Sequence, residues 1–281
     1  MPKGFETAEF KARLTRAQSR MDAADLDAIL LTTEPDIRYF TGYLTRFWES
    51  PCRPWFLVLP RSGDPIAVIP SIGAPLMAHT WITDIRTWRA PDLEDDGISL
   101  LAETLRDLGP RIGTPSGLQS HLRMPLGDFA RLNAALPQPI GADADILRSL
   151  RLVKSEAEIE KIKTACHIAT RAFERVPDIA RVGQPLAAVF RDFQRLCLEE
   201  GADWVPYLAG AAAQGGYSDV ISPADDRPLT AGDILMLDTG LVHSGYFCDF
   251  DRNFAVGIPS PDVAAGHGRL IEATYAAFEA A

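Results

Sequence analysis

Two aspartates in the last quarter of the chain are the residues most able to do chemistry. Asp238 follows the apolar residues 234–237, and Asp249 follows residues 245–248 after a short break in the pattern. Carboxylate oxygens are the ligands that hard divalent cations prefer, and adjacent strands would hold them rigidly. We therefore predict that Asp238 and Asp249 are metal ligands.

The segment between the two aspartates predicts a β-hairpin, because apolar residues flank His243-Ser244-Gly245. With a two-residue loop of His243 and Ser244, Asp238 faces Asp249 directly across the ladder. Side chains that face each other there have Cβ atoms roughly 4.5 to 5.5 Å apart, so two carboxylates need a cation between them. Acidic residues near a hairpin also often face solvent, so this geometry alone leaves a solvated surface as an equal alternative.

Strand alternation predicts the surroundings of the pair. Ile234, Met236, Asp238 and Asp251 should share the face of Asp249. The carboxylates then emerge from an otherwise apolar floor, which excludes bulk water and strengthens the field of a bound cation.

The first half of the chain is predicted to form a separate domain. Residues 9–23 have the spacing of an amphipathic helix, and residues 28–32, 55–59 and 66–69 have the composition of buried strands. Because helical and strand-like patterns continue to alternate, we predict an α/β layered domain over residues 1–150.

A second domain, residues 151–281, is predicted from the change in pattern that follows. Ser155 and Glu158 have the spacing of a capping box, which starts a long helix. A second helix is predicted over residues 186–200. Residues 204–227 are rich in Gly, Ala, Pro and Asp, which favours irregular strand and loop.

Composition restricts the partners. The formal net charge of −10 without a long run of like charge argues against binding to nucleic acid or to a membrane surface. Residues 1–11 lack a hydrophobic signal core, so we expect a cytoplasmic protein. Scattered cysteines predict reduced thiols rather than a disulfide scaffold. They are Cys52, Cys166, Cys197 and Cys248.

The motifs around the two aspartates resemble those of a known superfamily. Leu-Asp-Thr-Gly at Asp238 and Gly-Tyr-Phe-Cys-Asp-Phe-Asp-Arg-Asn-Phe at Asp249 are similar to the first two ligand motifs of creatinase, prolidase, Xaa-Pro aminopeptidases and methionine aminopeptidases. Residues 38–42, 150–159 and 226–233 also resemble segments of the creatinase and prolidase branch. The similarity covers nearly the whole chain.

This resemblance implies a fold and a chemistry. The fold is an α/β N-terminal creatinase-like domain followed by an α+β "pita-bread" catalytic domain, of which the chain holds the first half only. In this family two divalent metal ions, often Mn, Co or Zn, share two aspartates, a histidine and two glutamates. A metal-bound hydroxide attacks the C–N amide bond of a small peptide or amino-acid derivative, and related enzymes are homodimers.

Only Asp238 and Asp249 of that ligand set can be placed in this sequence. The chain ends at Ala281 inside a helix predicted to begin near Val263, and His267 follows the hairpin too closely to be the family's histidine ligand. We therefore expect this chain to be truncated within the catalytic domain and to be inactive alone.

Two departures from the family pattern leave the substrate open. Val220 stands where the peptidases carry a substrate-binding histidine, and Asp251 stands where they carry a threonine. Asp251 could be a third acidic ligand or an acceptor behind the ligands. Val220 favours an alternative, a hydrolase or lyase of a small compatible solute, similar to creatinase, ectoine hydrolase or dimethylsulfoniopropionate lyase. A non-catalytic pita-bread binding protein is the third reading.

Overall fold

The computed structural model describes residues 4–50 and 53–281. The chain divides into two compact units, residues 1–154 and 155–281. The division falls at Ser155, the residue with which the capping box begins.

The first unit is a mixed six-stranded sheet with helices on both faces. Its strands lie in the order β4-β3-β2-β1-β5-β6. They are β1 (Ala28–Leu31), β2 (Phe56–Pro60), β3 (Ile66–Pro70), β4 (Asp84–Trp88), β5 (Ile112–Thr114) and β6 (Gly141–Ala142). The helices are α1 (Thr7–Ala23), α2 (Glu34–Thr41), α3 (Ala74–Met77), α4 (Ile98–Leu108), α5 (Leu126–Ala135) and α6 (Ile146–Leu152).

Strand β1 shows why this sheet is buried on both sides. Ile29 and Leu31 pack into one hydrophobic core with residues of α1, α2 and α6. Ala28 and Leu30 point the other way, into a second core with residues of α4 and α5. A strand that is covered on both faces is apolar at every position, which is why the sequence pattern here is continuous rather than alternating.

The second unit is an antiparallel sheet with helices α7 and α9 packed on one face. Its main strands lie in the order β10-β8-β7, and the short β9 pairs with β8. They are β7 (Trp204–Gln214), β8 (Asp233–His243), β9 (Tyr246–Phe247) and β10 (Phe250–Ala255). The helices are α7 (Glu156–Glu174), α8 (Val176–Ile179), α9 (Leu186–Glu199) and α10 (Pro261–Ala280).

Strand β7 is more regular than the irregular strand and loop predicted over residues 204–227. It is regular from Tyr207 to Gln214, where each residue pairs with β8. Its Gly and Ala content suggested an irregular strand, but small residues also fit a regular pleated strand when a long neighbour supplies the hydrogen bonds. Only the second half of the segment is loop.

The two faces of this sheet differ in character. Leu235, Leu237 and Leu241 of β8 pack into a hydrophobic core with residues of α7 and α9. The alternate residues Met236 and Asp238 point to the other face. The helices therefore hold the sheet from one side and leave the other side for the carboxylates.

Three of the four cysteines lie among the described residues. Cys166, Cys197 and Cys248 are unpaired, and burial raises the pKa of Cys197 to about 12. Cys52 lies outside the described residues. No helix in the described part of the chain combines the length and apolarity needed to cross a bilayer.

The predicted capping box at the start of α7 is confirmed. The Ser155 hydroxyl accepts from the Glu158 amide at 3.3 Å, and the Glu158 carboxylate accepts from the Ser155 amide at 2.9 Å. The second oxygen of Glu158 accepts from the Tyr246 hydroxyl at 2.8 Å. One buried carboxylate thus caps a helix and fastens the hairpin to it.

Replacing Ser155 with alanine should lower the free energy of unfolding by about 1 kcal/mol, because an amide of α7 loses its acceptor. Urea denaturation followed by circular dichroism measures this loss. Ser260→Ala is the matched control, since Ser260 caps α10, in which no residue of the described structure is buried. If Ser155→Ala and Ser260→Ala lost equal free energy of unfolding, the stabilising role of the Ser155 cap would be contradicted.

Candidate metal centre

The turn between β8 and β9 sets the register of the site. It consists of Ser244 and Gly245, with φ angles of 53° and 80°, and His243 pairs with Tyr246. A two-residue hairpin turn of type I′ needs positive φ at both central positions, and glycine adopts it at low cost. The predicted loop of His243 and Ser244 is therefore wrong by one residue.

This shift changes which carboxylates face each other. Asp238 lies directly opposite Asp251, and not opposite Asp249 as predicted. Asp249 lies between β9 and β10, two residues before Asp251. The slip of one residue in the turn moves the pairing by two positions, so the face of the sheet is kept while the partner changes.

A tyrosine nevertheless brings the two predicted ligands together. The Tyr207 hydroxyl lies 3.2 Å from Oδ1 of Asp238 and 2.8 Å from Oδ1 of Asp249. The two carboxylate oxygens are therefore separated by no more than the sum of these distances. The hydroxyl has one proton, so it can donate to only one of them at a time.

Gly240 makes room for the Phe247 ring, which lies beside this tyrosine. It pairs with Tyr207 across β7 and β8, and a Cβ atom on it would lie 1.9 Å from the Phe247 ring. The Tyr207 and Phe247 rings approach with centroids 6.2 Å apart. The Thr239 hydroxyl also donates to the Tyr207 carbonyl at 2.6 Å. A glycine at this position leaves space for the Phe247 ring next to Tyr207.

Burial and the neighbouring acidic groups shift the pKa values of side chains in this cluster. Burial, followed by the hydrogen bond to Asp249, raises the pKa of Tyr207 above its usual range, so the hydroxyl stays protonated at neutral pH. Partial burial of the Asp251 carboxyl, and then the Asp238 carboxylate, raise the pKa of Asp251. A bound cation would relieve this repulsion.

A loop covers the apolar floor beside the carboxylates. Val220 accepts a hydrogen bond from the Gly210 amide at 2.9 Å, which holds the loop along the edge strand β7. The Tyr217 hydroxyl donates to Oδ1 of Asn253 on β10, at the opposite edge, at 2.6 Å. The loop therefore reaches across β8, and Met236 on this face is only 4% exposed.

The two aspartates have the ligand atoms that a hard cation prefers. Asp238 and Asp249 present oxygen ligands to one region, and Tyr207 is their hydrogen-bond donor. In the part of the chain that the structure describes, no group of three His, Cys, Asp or Glu side chains is assembled that could hold a metal ion. The described residues thus offer two carboxylates, and a complete coordination sphere needs further ligands.

Sequence reasoning missed both tyrosines of this site. Tyr207 and Tyr217 fell in the segment predicted to be irregular, where no role was assigned to them. The alternation of Tyr207 with Ala209 and Ala211 was the available signal, because it marks one face of a strand on which only the tyrosine is large.

Comparisons with known proteins identify the family. Residues 13–153 match the Creatinase/Prolidase N-terminal domain, and residues 160–281 match Metallopeptidase family M24. A fold with these two parts defines a pita-bread metallopeptidase of the creatinase and prolidase type. The chain belongs to this superfamily, as the resemblance implied, and the predicted fold class is confirmed.

Individual relatives are similar over most of the chain. A probable dipeptidase PepE of Mycobacterium tuberculosis is 28% identical, covering 98% of this chain and 72% of that protein. A Xaa-Pro dipeptidase of Pyrococcus horikoshii is 22% identical, covering 93% of this chain and 69% of that protein. The crystal structure of the prolidase from Pyrococcus horikoshii superposes with a TM-score of 0.78 over 95% of this chain and 71% of that one, at 19% identity, which shows the shared fold.

Replacing Tyr207 with phenylalanine should weaken Mn²⁺ binding about tenfold while leaving the free energy of unfolding within about 1 kcal/mol, because the ligands lose their shared donor and the ring remains. Titration calorimetry and urea denaturation measure the two effects. Tyr275→Phe, on the exposed face of α10, is the matched control. Unchanged Mn²⁺ affinity in Tyr207→Phe would show that the hydroxyl does not orient the ligands.

Proposed function

We propose that this protein is a metal-dependent peptidase of the Xaa-Pro dipeptidase or aminopeptidase type, which cleaves the amide bond of a small peptide. The observation that carries the proposal is the convergence of Asp238 and Asp249 on one tyrosine hydroxyl at the exposed end of an apolar face. The names of the relatives, dipeptidase and Xaa-Pro dipeptidase, support the substrate class.

In this proposal Asp238 and Asp249 are ligands of two divalent ions, Mn, Co or Zn. Such ions supply Lewis-acid polarisation of the scissile carbonyl when bound. The chain's own contribution is geometric. Strand β8 fixes Asp238, the hydroxyl of Tyr207 donates to one of the two carboxylates at a time, and Met236 keeps water away from the floor of the site.

A panel of small peptides tests the proposal. The full-length protein is stripped of metal and assayed with added Mn²⁺, Co²⁺ or Zn²⁺ on Xaa-Pro dipeptides, on other dipeptides and on longer peptides with proline in second position; residues 1–281 alone are expected to be inactive. We expect metal-dependent hydrolysis that Asp249→Asn lowers at least a hundredfold and that Asp226→Asn, an exposed acidic control, does not change. Hydrolysis that survives both a chelator and Asp249→Asn would contradict the assignment of the ligands.

A second candidate is a hydrolase or lyase of a small compatible solute. Val220 favours it, because an aliphatic side chain cannot donate the hydrogen bond that a histidine gives to a peptide substrate. Adding creatine, ectoine and dimethylsulfoniopropionate to the same assay separates the candidates. Turnover of one of these with no peptide hydrolysis would favour the second, and turnover of none would favour a non-catalytic binding protein.

A further inference from the structure

The loop that follows β7 is anchored at both of its ends. The Gln214 amide donates to the buried Asp233 carboxylate at 2.8 Å, and the Arg227 guanidinium donates to the other oxygen of Asp233 at 3.1 Å. The Arg227 carbonyl also accepts from the Leu186 amide at the start of α9, at 3.0 Å. One buried carboxylate therefore fixes the points where residues 215–226 leave and rejoin the packed structure.

Between these anchors the loop packs weakly on the rest of the unit. Most of its residues are exposed, and the apolar Ile221 is 87% exposed, so apolar packing does not hold its tip down. The Asp219 carboxylate accepts from the amides of Ile221 and Ser222, both at 3.2 Å, which makes the tip a compact turn. Gly215 and Gly216, with φ angles of 72° and 134°, precede this tip, and a Cβ atom on either would meet nothing within 4 Å. They have the conformational freedom and the space that a hinge needs.

Two hydrogen bonds connect the middle of this loop to the sheet within the described residues. The Val220 carbonyl accepts from the Gly210 amide on β7 at 2.9 Å, and the Tyr217 hydroxyl donates to Oδ1 of Asn253 on β10 at 2.6 Å. Because β8 runs between these two strands, the loop crosses the apolar face of β8, where Met236 is buried. The bond from Tyr217 is made by side chains, so a substitution can remove it and leave the backbone intact.

We propose that residues 215–226 form a lid over the floor of the metal centre and that the bond between Tyr217 and Asn253 is its latch. Asn253 lies directly opposite Met236, and Met236 is two residues from the proposed ligand Asp238 on the same face. The closed lid covers this floor. When the latch breaks, the tip moves about its glycines and small molecules reach Met236. This inference goes beyond the proposed function and does not depend on it, because lid opening needs neither metal nor turnover.

Oxidation of Met236 by hydrogen peroxide measures how often the lid is open. Peroxide transfers one oxygen atom to the thioether sulfur, giving the sulfoxide and water, and peptide mass spectrometry follows each methionine separately. Loss of one hydrogen bond raises the open population, so we expect Met236 in the full-length protein to oxidise about fivefold faster in Tyr217→Phe and in Asn253→Ala. The double variant should oxidise no faster than either single variant, since both substitutions break the same bond.

Controls separate lid opening from a general loss of structure. Met21 and Met77, which are buried in the first unit, should oxidise at the same slow rate in every variant. Tyr275→Phe removes an exposed tyrosine hydroxyl from α10 and should leave the oxidation of Met236 unchanged. In Tyr217→Phe the amides of residues 217–222 should exchange faster with solvent, while the amides of β8 keep their rates.

Three results would overturn the inference. An unchanged oxidation rate of Met236 in Tyr217→Phe would show that the closed loop does not depend on this bond. Effects of the two substitutions that multiply in the double variant would show that the side chains act independently. Faster exchange throughout β8, or faster oxidation of Met21 and Met77, would show that the sheet or the whole protein opens rather than the lid.

Discussion

Replacing Asp238 with asparagine is expected to remove the stabilisation that Mn²⁺ gives to the protein. A ligand present at a hundred times its dissociation constant stabilises the folded state by about 2.7 kcal/mol. Asparagine keeps the shape of the side chain but loses the charge that attracts the ion, so we expect at least a hundredfold lower affinity. Without metal, the variant should be within about 1 kcal/mol of the unmodified protein, because it also loses a like charge directly opposite Asp251.

Thermal unfolding with and without Mn²⁺ measures both effects in one series. The unmodified protein should unfold at a higher temperature when Mn²⁺ is added, and Asp238→Asn should not respond. Asp226→Asn carries the same charge change at an exposed position and should respond like the unmodified protein. An Mn²⁺ response that is retained in Asp238→Asn would remove this residue from the metal site.

Replacing Gly240 with alanine should destabilise the second unit by about 3 kcal/mol and weaken metal binding as well. The added Cβ would lie 1.9 Å from the Phe247 ring and 2.6 Å from the carbonyl oxygen of Cys248. The ring can rotate, but the carbonyl belongs to the backbone that leads directly into Asp249. Relief of the overlap must therefore shift that backbone, which costs free energy and moves a proposed ligand.

Urea denaturation and Mn²⁺ titration test the two parts of this prediction separately. Gly266→Ala in α10 is the control, because nothing lies within 4 Å of a Cβ at that position. The control should leave Mn²⁺ affinity unchanged and should not destabilise the protein, since alanine favours a helix over glycine. If Gly240→Ala kept full stability, the backbone between β9 and β10 could shift to make room for the Cβ atom at little cost, and the prediction would be wrong.

The parts of the fold that sequence reasoning predicted are those governed by local signals. The apolar residues 28–31 and 66–69 form strands because every position is buried, and Ser155 starts a helix because its hydroxyl has an amide to accept from. These signals depend on neighbours a few residues away. A single sequence therefore suffices for them.

The pairing within the site depended on a choice that the sequence left open. A turn centred on His243 and Ser244 and one centred on Ser244 and Gly245 differ by one residue, yet they give Asp238 different partners. The preference of glycine for positive φ could have decided between them. The role of Tyr207 could not be predicted in this way, because its contacts with two acids depend on strand pairing over a long sequence separation.

The hydrogen bond between Tyr246 and Glu158 links the start of α7 to the hairpin, so it couples two local opening motions that are usually independent. Helix ends fray and hairpins open on their own timescales, but here the same carboxylate restrains both. Breaking the first turn of α7 releases the hairpin strand that leads to Asp249, so local opening of these two segments is one cooperative transition. Amide hydrogens at the start of α7 and in β9 should accordingly exchange with solvent at matching rates.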